Sequence, residues 1–205
     1  MKSIKDIVRK IFRKITDDNV ITIVSGLPRS GTSMMMQMLE AGGMTVMTDN
    51  LRRADDDNPL GYYEIEKVKK IKEDPSWLDN CGGKAFKMVS ALLYYLPKDK
   101  NYKVIFMKRE MEEMLASQKK MLSRLGRVGT DVSDDKISEI FQNHLQEVEY
   151  WMKKQDNIDY IQVSYNDVIN NPIKNVELVC RFLGGRLDKE NMSQVVEKSL
   201  YRQRK

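Results

Sequence analysis

The residues best suited to chemistry lie in a short loop near the start of the chain, between Gly26 and Ser33. A β-branched apolar run at residues 20–25 stops at Gly26, and a helical pattern rich in methionine and leucine begins at Thr32. A strand, a tight loop and a helix N-terminus in this order gather backbone N–H groups around one point. The sequence therefore predicts a binding site for a phosphate-like anion.

The position of the basic residue in this loop differs from that in ATP-binding phosphate loops. The spacing Gly26-x4-Gly31 matches an ATP-type phosphate loop, but Thr32 stands where that motif has lysine. Arg29 lies inside the loop instead, and its guanidinium suits the oxygens of a phosphate or a sulfate. The hydroxyls of Thr32 and Ser33 add further donors. A small-molecule kinase that uses ATP remains an alternative, although the missing lysine counts against it.

A second candidate anion site follows a later strand. Arg109 comes directly after the apolar run at residues 103–107, and Ser117 lies eight residues further on. If residues 110–117 are helical, Ser117 sits two turns beyond the end of the strand, where its hydroxyl could share an anion with Arg109.

The elements that position these residues alternate between strands and helices. Strand patterns occupy residues 20–25, 44–47, 84–89, 103–107 and 160–163. Helical patterns occupy residues 32–41, 64–73, 110–124, 135–154 and the segment from Pro172 to Gly184. This order predicts an α/β fold, a three-layer α/β/α arrangement around a parallel sheet of about five strands, similar to the P-loop NTPases. The carboxyl ends of the strands and the phosphate loop would then share one edge of the sheet.

Together these motifs resemble the nucleotide-dependent sulfotransferases. Residues 28–33 read Pro-Arg-Ser-Gly-Thr-Ser and match the family's phosphosulfate loop, P-[KR]-S-G-T-[ST]. Arg109 and Ser117 match the family's arginine and serine for a 3′-phosphate. The family's Tyr-x-Asp segment, Asn-Pro pair and Phe-Leu-Gly helix end match residues 165–168, 171–172 and 182–184, and residues 58–64 look like a stretch of bacterial members. The resemblance thus runs from about residue 20 to residue 184.

The resemblance implies transfer of a sulfuryl group from 3′-phosphoadenosine 5′-phosphosulfate to a hydroxyl or amine, with adenosine 3′,5′-bisphosphate as product. No metal is expected, because no set of Asp, His and Cys residues has the spacing of metal ligands. The residues that the resemblance implies for nucleotide binding are Pro28, Arg29, Ser30, Gly31, Thr32, Ser33, Arg109, Ser117 and Tyr165, the last near the adenine. Arg29 would stabilise the leaving phosphate, and Lys87 would bridge the leaving oxygen and the sulfuryl group. Glu64 would accept the proton of the acceptor.

The general base is where the chain departs from the family pattern. Many members have Lys-Thr-His before a Leu-Leu-Pro turn, and here Val89 stands in place of that histidine. The only histidine, His144, falls at the apolar border of a predicted helix, which favours a packed or half-exposed side chain over a base. Glu64 is the candidate carboxylate, ahead of Glu66 and the acidic residues 55–57, but a helix-start glutamate is an equal interpretation of Glu64. A nucleotide-binding protein without catalysis therefore also remains an alternative.

Length and composition fit one domain, 1–205, of a soluble protein. The 205 residues are 41% hydrophobic and 32% charged, and no apolar run reaches the roughly 20 residues of a membrane span. Residues 1–19 predict a basic amphipathic helix, docked on its own domain in preference to a membrane. The first residues show no signal-peptide pattern, and Cys81 and Cys180 show no disulfide or metal spacing, with Cys180 expected as a buried free thiol. These features predict a cytoplasmic protein.

The charge distribution favours local anion sites over a nucleic-acid surface. The net charge is +5, with a basic surplus at residues 1–19 and a basic tail at the C-terminus. Arg202 or Arg204 could replace the family's C-terminal Arg-Lys-Gly segment, but a solvated tail is the favoured interpretation. Residues 48–83 and 124–135 are the expected walls for a small-molecule, carbohydrate or lipid acceptor. The acceptor itself and the oligomeric state leave no pattern in the sequence.

Overall fold

The centre of the molecule is a parallel sheet. The computed structural model describes residues 19–49, 51, 61–124 and 132–196. Its strands are β1 (Ile21–Gly26), β2 (Ala85–Val89), β3 (Tyr102–Lys108) and β4 (Ile158–Ser164), in the spatial order β2-β1-β3-β4 and all parallel. Residues 44–47, a predicted strand, make only one isolated bridge, from Val46 to Ala85. The expected parallel sheet is confirmed, with four strands in the described residues instead of about five.

Helices connect and cover these strands. They are α1 (Thr32–Ala41), α2 (Glu66–Lys69), α3 (Met111–Arg124), α4 (Asp134–Met152), α5 (Tyr165–Asn170), α6 (Pro172–Phe182) and α7 (Lys189–Gln194), with short 3-10 helices at Ser76–Asn80 and Ser90–Tyr95. The predictions for α1, α3, α4 and α6 are confirmed. The helix expected over 64–73 is reduced to the single turn of α2, and α5 and α7 were not predicted.

Local capping explains where several helices begin. The Ser133 hydroxyl accepts the Lys136 N–H at the start of α4, and the Ser164 hydroxyl accepts the Asp167 N–H at the start of α5. Pro172 occupies the first turn of α6, where its missing N–H costs no helical hydrogen bond.

Each face of the sheet carries its own hydrophobic core. One core packs strand residues Ile23, Phe86, Val104 and Phe106 against Val148 and Met152 of α4. The other packs Val24, Ile105, Met107 and Val163 against α1, α5, α6 and α7, with Met35, Met36 and Met38 of α1 fully buried. The alternation of strand side chains between the two faces produces the expected three layers.

The strand register brings the predicted site residues to one edge. Gly26 pairs with Val89 on one side and with Met107 on the other, and Lys108 pairs with Ser164. The carboxyl ends of the strands are therefore level. In the sheet, β2 lies on one side of β1 and β3 lies on the other. The connection that leaves β1 leads to β2 and the one that leaves β3 leads to β4, so these two connections run in opposite directions from the gap between β1 and β3. Ligands of open α/β sheets bind in the crevice at such a point.

Several predictions concern other parts of the chain. Residues 1–18, 55–57, 202 and 204, and with them the N-terminal helix, lie outside the described residues. Cys81 and Cys180 are both buried and without a disulfide, as expected for Cys180. In the described part of the chain, no helix is both long enough and apolar enough to span a bilayer.

Candidate active site

The loop between β1 and α1 is a tight turn with unusual backbone angles. Gly31 has φ 95° and Arg29 has φ 71°. The Ser30 N–H donates to the Leu27 carbonyl over 3.2 Å and closes the turn. A residue with a side chain rarely adopts a positive φ, at a cost of about 1 to 3 kcal/mol. The surrounding contacts of Arg29 must therefore hold it in this conformation.

The start of α1 is suited to an anion. Its N-cap residue is Gly31, which has no side chain to cap the first turn. The N–H groups of the first turn lack acceptors within the helix, and the helix dipole makes this end positive. The Ser30 hydroxyl lies beneath the loop, 1% exposed and without a hydrogen-bond partner among the described residues. The Ser33 hydroxyl donates to the Tyr62 carbonyl over 3.4 Å, and the Ser30 N–H closes the turn. Thr32 and Ser33 remain the predicted loop donors.

Tyr165 packs directly on the loop. A Cβ atom built on Gly31 would lie 2.3 Å from Cδ2 of the Tyr165 ring, so only glycine fits. The Arg109 guanidinium also contacts the ring, with its Cζ 4.4 Å from the ring centroid. Burial raises the pKa of the Tyr165 phenol, so the group is protonated at neutral pH. The ring therefore joins the loop to the residue that follows β3.

The two predicted anion sites are connected to each other. Arg29 Nε donates to Ser117 Oγ over 3.0 Å, and Arg109 Nη1 donates to the Arg29 carbonyl over 3.2 Å. Ser117 lies on α3 and is 6% exposed. Arg109 thus contacts the backbone of the loop, and Arg29 of the loop contacts Ser117, all near the carboxyl edge of the sheet. Guanidinium and hydroxyl groups are suited to binding phosphate oxygens.

Lys87 and Glu64 form a second cluster at the far end of the same loop. Lys87 Nζ donates to Ser33 Oγ over 3.2 Å and lies 3.8 Å from Glu64 Oε1. Its ammonium is also 5.8 Å from the centroid of the Tyr62 ring. The side chains of Lys87 and Glu64 are 13% and 27% exposed. The structure therefore brings together a cation, a hydroxyl and a carboxylate, all within reach of a ligand at the loop.

The other candidates for a base occupy different surroundings. The Glu66 side chain is exposed and pairs with Lys69 on its own helix. His144 is half-buried on α4 and shares a 2.8 Å hydrogen bond with Ser90 Oγ, which confirms the predicted environment of this histidine. Val89, at the position of the family's histidine, is 42% exposed at the end of β2. Among the described carboxylates proposed for this role, Glu64 is the one beside Lys87.

Two polar residues beside Arg109 were missed in the sequence. The Glu113 carboxylate accepts a hydrogen bond from Arg109 Nε over 3.2 Å, and Asn166 Nδ2 lies 3.2 Å from both Glu113 oxygens. The spacing of Arg109 and Glu113, four residues apart at a predicted helix start, is the signal that could have identified the pair.

The arrangement combines cationic and N–H groups with a neighbouring carboxylate. Arginine, lysine and backbone donors can stabilise charge on a transferred group and its leaving oxygen. A carboxylate next to them can accept a proton from an incoming nucleophile. No group of three or more histidine, cysteine or acidic side chains in the described residues is placed to hold a metal ion.

Comparisons with known proteins identify the family and the fold of the chain. The sequence model of the sulfotransferase domain family matches residues 19–205. A similar solved structure is the sulfotransferase domain from the curacin biosynthetic pathway, with a TM-score of 0.53, 13% sequence identity, and coverage of 87% of this chain and 78% of that chain. At this identity the likeness concerns the fold. A comparison with curated proteins finds no match. Because the family model spans nearly the whole sequence, the chain belongs to the sulfotransferase domain family, enzymes that transfer a sulfuryl group.

Proposed function

We propose that this enzyme takes its sulfuryl group from 3′-phosphoadenosine 5′-phosphosulfate, the usual donor of the family, and passes it to a hydroxyl or amine. The observation that carries the proposal is the contact between the two anion sites. Arg29 reaches Ser117, and Arg109 reaches the Arg29 carbonyl, at the carboxyl edge of β1 and β3. A nucleotide with phosphates at both its 5′ and 3′ positions matches two neighbouring cationic sites.

The donor-binding residues of this proposal surround the loop. The 5′-phosphosulfate would bind at residues 28–33, through the N–H groups of the first turn of α1 and the hydroxyls of Thr32 and Ser33. The 3′-phosphate would bind Arg109 and Ser117. Tyr165, whose ring packs on Gly31, would flank the nucleoside.

The transfer itself requires charge stabilisation and one proton acceptor. The acceptor oxygen or nitrogen forms a bond to sulfur, while the bond from sulfur to the 5′-phosphate oxygen breaks and its electron pair stays on the phosphate. Arg29 and Lys87 stabilise the negative charge that develops on the leaving oxygen. Glu64, 3.8 Å from Lys87 Nζ, takes the proton of the acceptor. Correct placement of the two substrates supplies much of the remaining rate enhancement.

The acceptor would approach between Glu64 and the end of β2. The exposed Val89 side chain lies in the same row of the sheet as Gly26 and offers an apolar contact there. A small molecule, a carbohydrate or a lipid could each present a hydroxyl or amine at this place.

Thermal unfolding with added nucleotides tests the donor. Adenosine 3′,5′-bisphosphate should raise the unfolding temperature, since a ligand at about 100 times its Kd stabilises the folded state by about 2.7 kcal/mol. ATP, with and without Mg²⁺, is the matched comparison and should act more weakly. If ATP with Mg²⁺ stabilises the protein and adenosine 3′,5′-bisphosphate does not, the proposed donor is wrong. If the bisphosphate binds, a screen of hydroxyl and amine acceptors with the sulfated donor identifies the acceptor class.

A further inference from the structure

A buried carboxylate lies beside the proposed 3′-phosphate site. Glu113 is on the first turn of α3, and its side chain is 8% exposed, as is that of Arg109. A carboxylate placed next to a site for an anion would by itself weaken binding through repulsion. The residues around Glu113 must therefore compensate for its negative charge.

The neighbours of Glu113 hold its carboxylate from two elements. Arg109 Nε donates to one oxygen over 3.2 Å, and Asn166 Nδ2 lies 3.2 Å from each of the two oxygens. Asn166 is itself oriented, since its side-chain oxygen accepts the Glu110 N–H over 3.4 Å. Asn166 follows Tyr165 directly in α5, so the carboxylate joins the start of α3 to the start of α5.

These contacts restrict the guanidinium of Arg109. Its Nε bonds to Glu113, its Nη1 bonds to the Arg29 carbonyl, and its Cζ lies 4.4 Å from the centroid of the Tyr165 ring. Hydrogen bonds at two different nitrogens, together with the ring contact, limit how the group can rotate. A planar group with a fixed fork of donors binds a phosphate well only when it is aimed correctly.

Stability alone is a poor explanation of this buried pair. Desolvation of two charges offsets much of their attraction, and buried ion pairs are often no more stabilising than apolar side chains of the same size. Positioning is the better account, since a guanidinium held before the ligand arrives loses less entropy on binding.

We propose that Glu113 is a positioning residue, which with Asn166 aims Arg109 at the 3′-phosphate and thereby determines the preference for 3′-phosphorylated nucleotides. This rests on the donor proposed above. Glu113 acts only through Arg109 and is not itself a contact of the nucleotide.

The experiment compares two nucleotides that differ only in the 3′-phosphate. Dissociation constants for adenosine 3′,5′-bisphosphate and for adenosine 5′-monophosphate are measured on the wild type and on Glu113→Gln. The preference, defined as the constant for the monophosphate divided by that for the bisphosphate, is the ratio to compare. It should fall by about tenfold in the variant, because hydrogen bonds to charged groups are worth about this much. Asn166→Ala, which leaves the carboxylate in place, should lower the ratio in the same direction. Glu112→Gln removes the same charge from an exposed position on α3 and should leave the ratio unchanged.

The outcomes separate this proposal from that of the donor. If the wild type prefers the bisphosphate and Glu113→Gln keeps the full preference or gains in it, the positioning role is wrong while the donor stands. Equal weakening of both nucleotides, with a lower unfolding temperature, indicates a structural role and also overturns the proposal. If the wild type itself shows no preference, the proposed donor fails, and the role of Glu113 fails with it.

Discussion

At the scale of single residues, the site depends on a few side chains whose positions are tightly restricted. Arg29 adopts a positive φ and bonds to Ser117, and Lys87 bonds to Ser33 at the other end of the loop. One cation thus lies inside the loop, and a second, from β2, lies beside its last residue. Two substitutions, at Glu64 and at Gly31, test the roles of individual residues in this site.

Glu64→Gln should lower the turnover number by about 100-fold or more, the usual contribution of a general base. The amide keeps the size of the side chain but cannot accept the proton. Turnover is measured on an acceptor that the wild type sulfates, and the affinity for adenosine 3′,5′-bisphosphate should not change. Glu66→Gln is the matched control, because that side chain is exposed and pairs with Lys69. Wild-type turnover in Glu64→Gln would exclude Glu64 as the base.

Gly31→Ala should destabilise the fold and weaken nucleotide binding, since the new methyl group would lie 2.3 Å from the Tyr165 ring. Gly43→Ala is a control with nearly the same backbone angle, as φ is 90° at Gly43 and 95° at Gly31, but with no atom within 4 Å of the new Cβ. The left-handed conformation alone costs about 1 to 2 kcal/mol, and the clash should add at least about 1 kcal/mol. Urea unfolding gives both values. Equal losses in the two variants would show that the contact with Tyr165 is easily relieved.

At the scale of elements, α4 is attached to the sheet by a charged group as well as by its apolar face. Glu149 lies 3.3 Å from Lys108 at the end of β3 and 2.9 Å from Lys153, which directly follows α4. Hydrogen bonds from Lys153, then from Gln162 and Lys108, lower the pKa of Glu149 to about 2 from its ordinary value of 4.5. Because the folded state lowers this pKa, the stabilisation is complete above about pH 4.5 and is lost as the pH falls towards 2.

Glu149→Gln should therefore lower the free energy of unfolding at pH 7 by about 1 to 2 kcal/mol, after allowance for solvent screening. The difference from the wild type should shrink as the pH falls from about 4.5 towards 2, where the wild-type carboxylate becomes neutral. Urea unfolding at pH 7 and pH 3 measures it. Glu147→Gln, a change at an exposed position of the same helix, is the control. If the difference in the free energy of unfolding does not depend on pH, the effect of the substitution comes from packing and not from the charge of Glu149.

At the scale of the whole molecule, the two cores share the same four strands. Ile23 packs into one core and Val24, the next residue of β1, into the other. Loss of either core would thus expose one face of every strand. This arrangement supports the prediction of one cooperative domain.

Thermal unfolding should accordingly show a single transition by two different probes. Trp77 and Trp151 both lie at the core that contains Ile23, so tryptophan fluorescence reports on that face. Far-ultraviolet circular dichroism also reports on α1 and α6 of the opposite face. The two midpoints should coincide, and adenosine 3′,5′-bisphosphate should shift them together. Separate midpoints would mean that the faces unfold independently.

The sequence by itself determined the elements with strong local signals. The strands around Val24, Phe86 and Ile105 and the long helices followed from apolar periodicity, and the loop of residues 28–33 from its motif. The elements with weak local signals were missed or wrongly extended. The six-residue α5 offers too few residues for a periodic pattern, and residues 44–47 are apolar enough for a strand but pair with β2 at only one point.

Only the tertiary structure decided which side chains meet. Arg29 and Ser117 are 88 residues apart, and Lys87 and Ser33 are 54 apart, yet each pair is in hydrogen-bond contact. A motif identifies the residues, but the strand register sets which of them reach the same edge. The structure also added Glu113 to the site, since whether a helical glutamate faces solvent or an arginine depends on what packs against the helix. The residue types of the loop are a local property and can be read from the sequence. The side chains that contact the loop depend on the order and register of the strands in the parallel sheet.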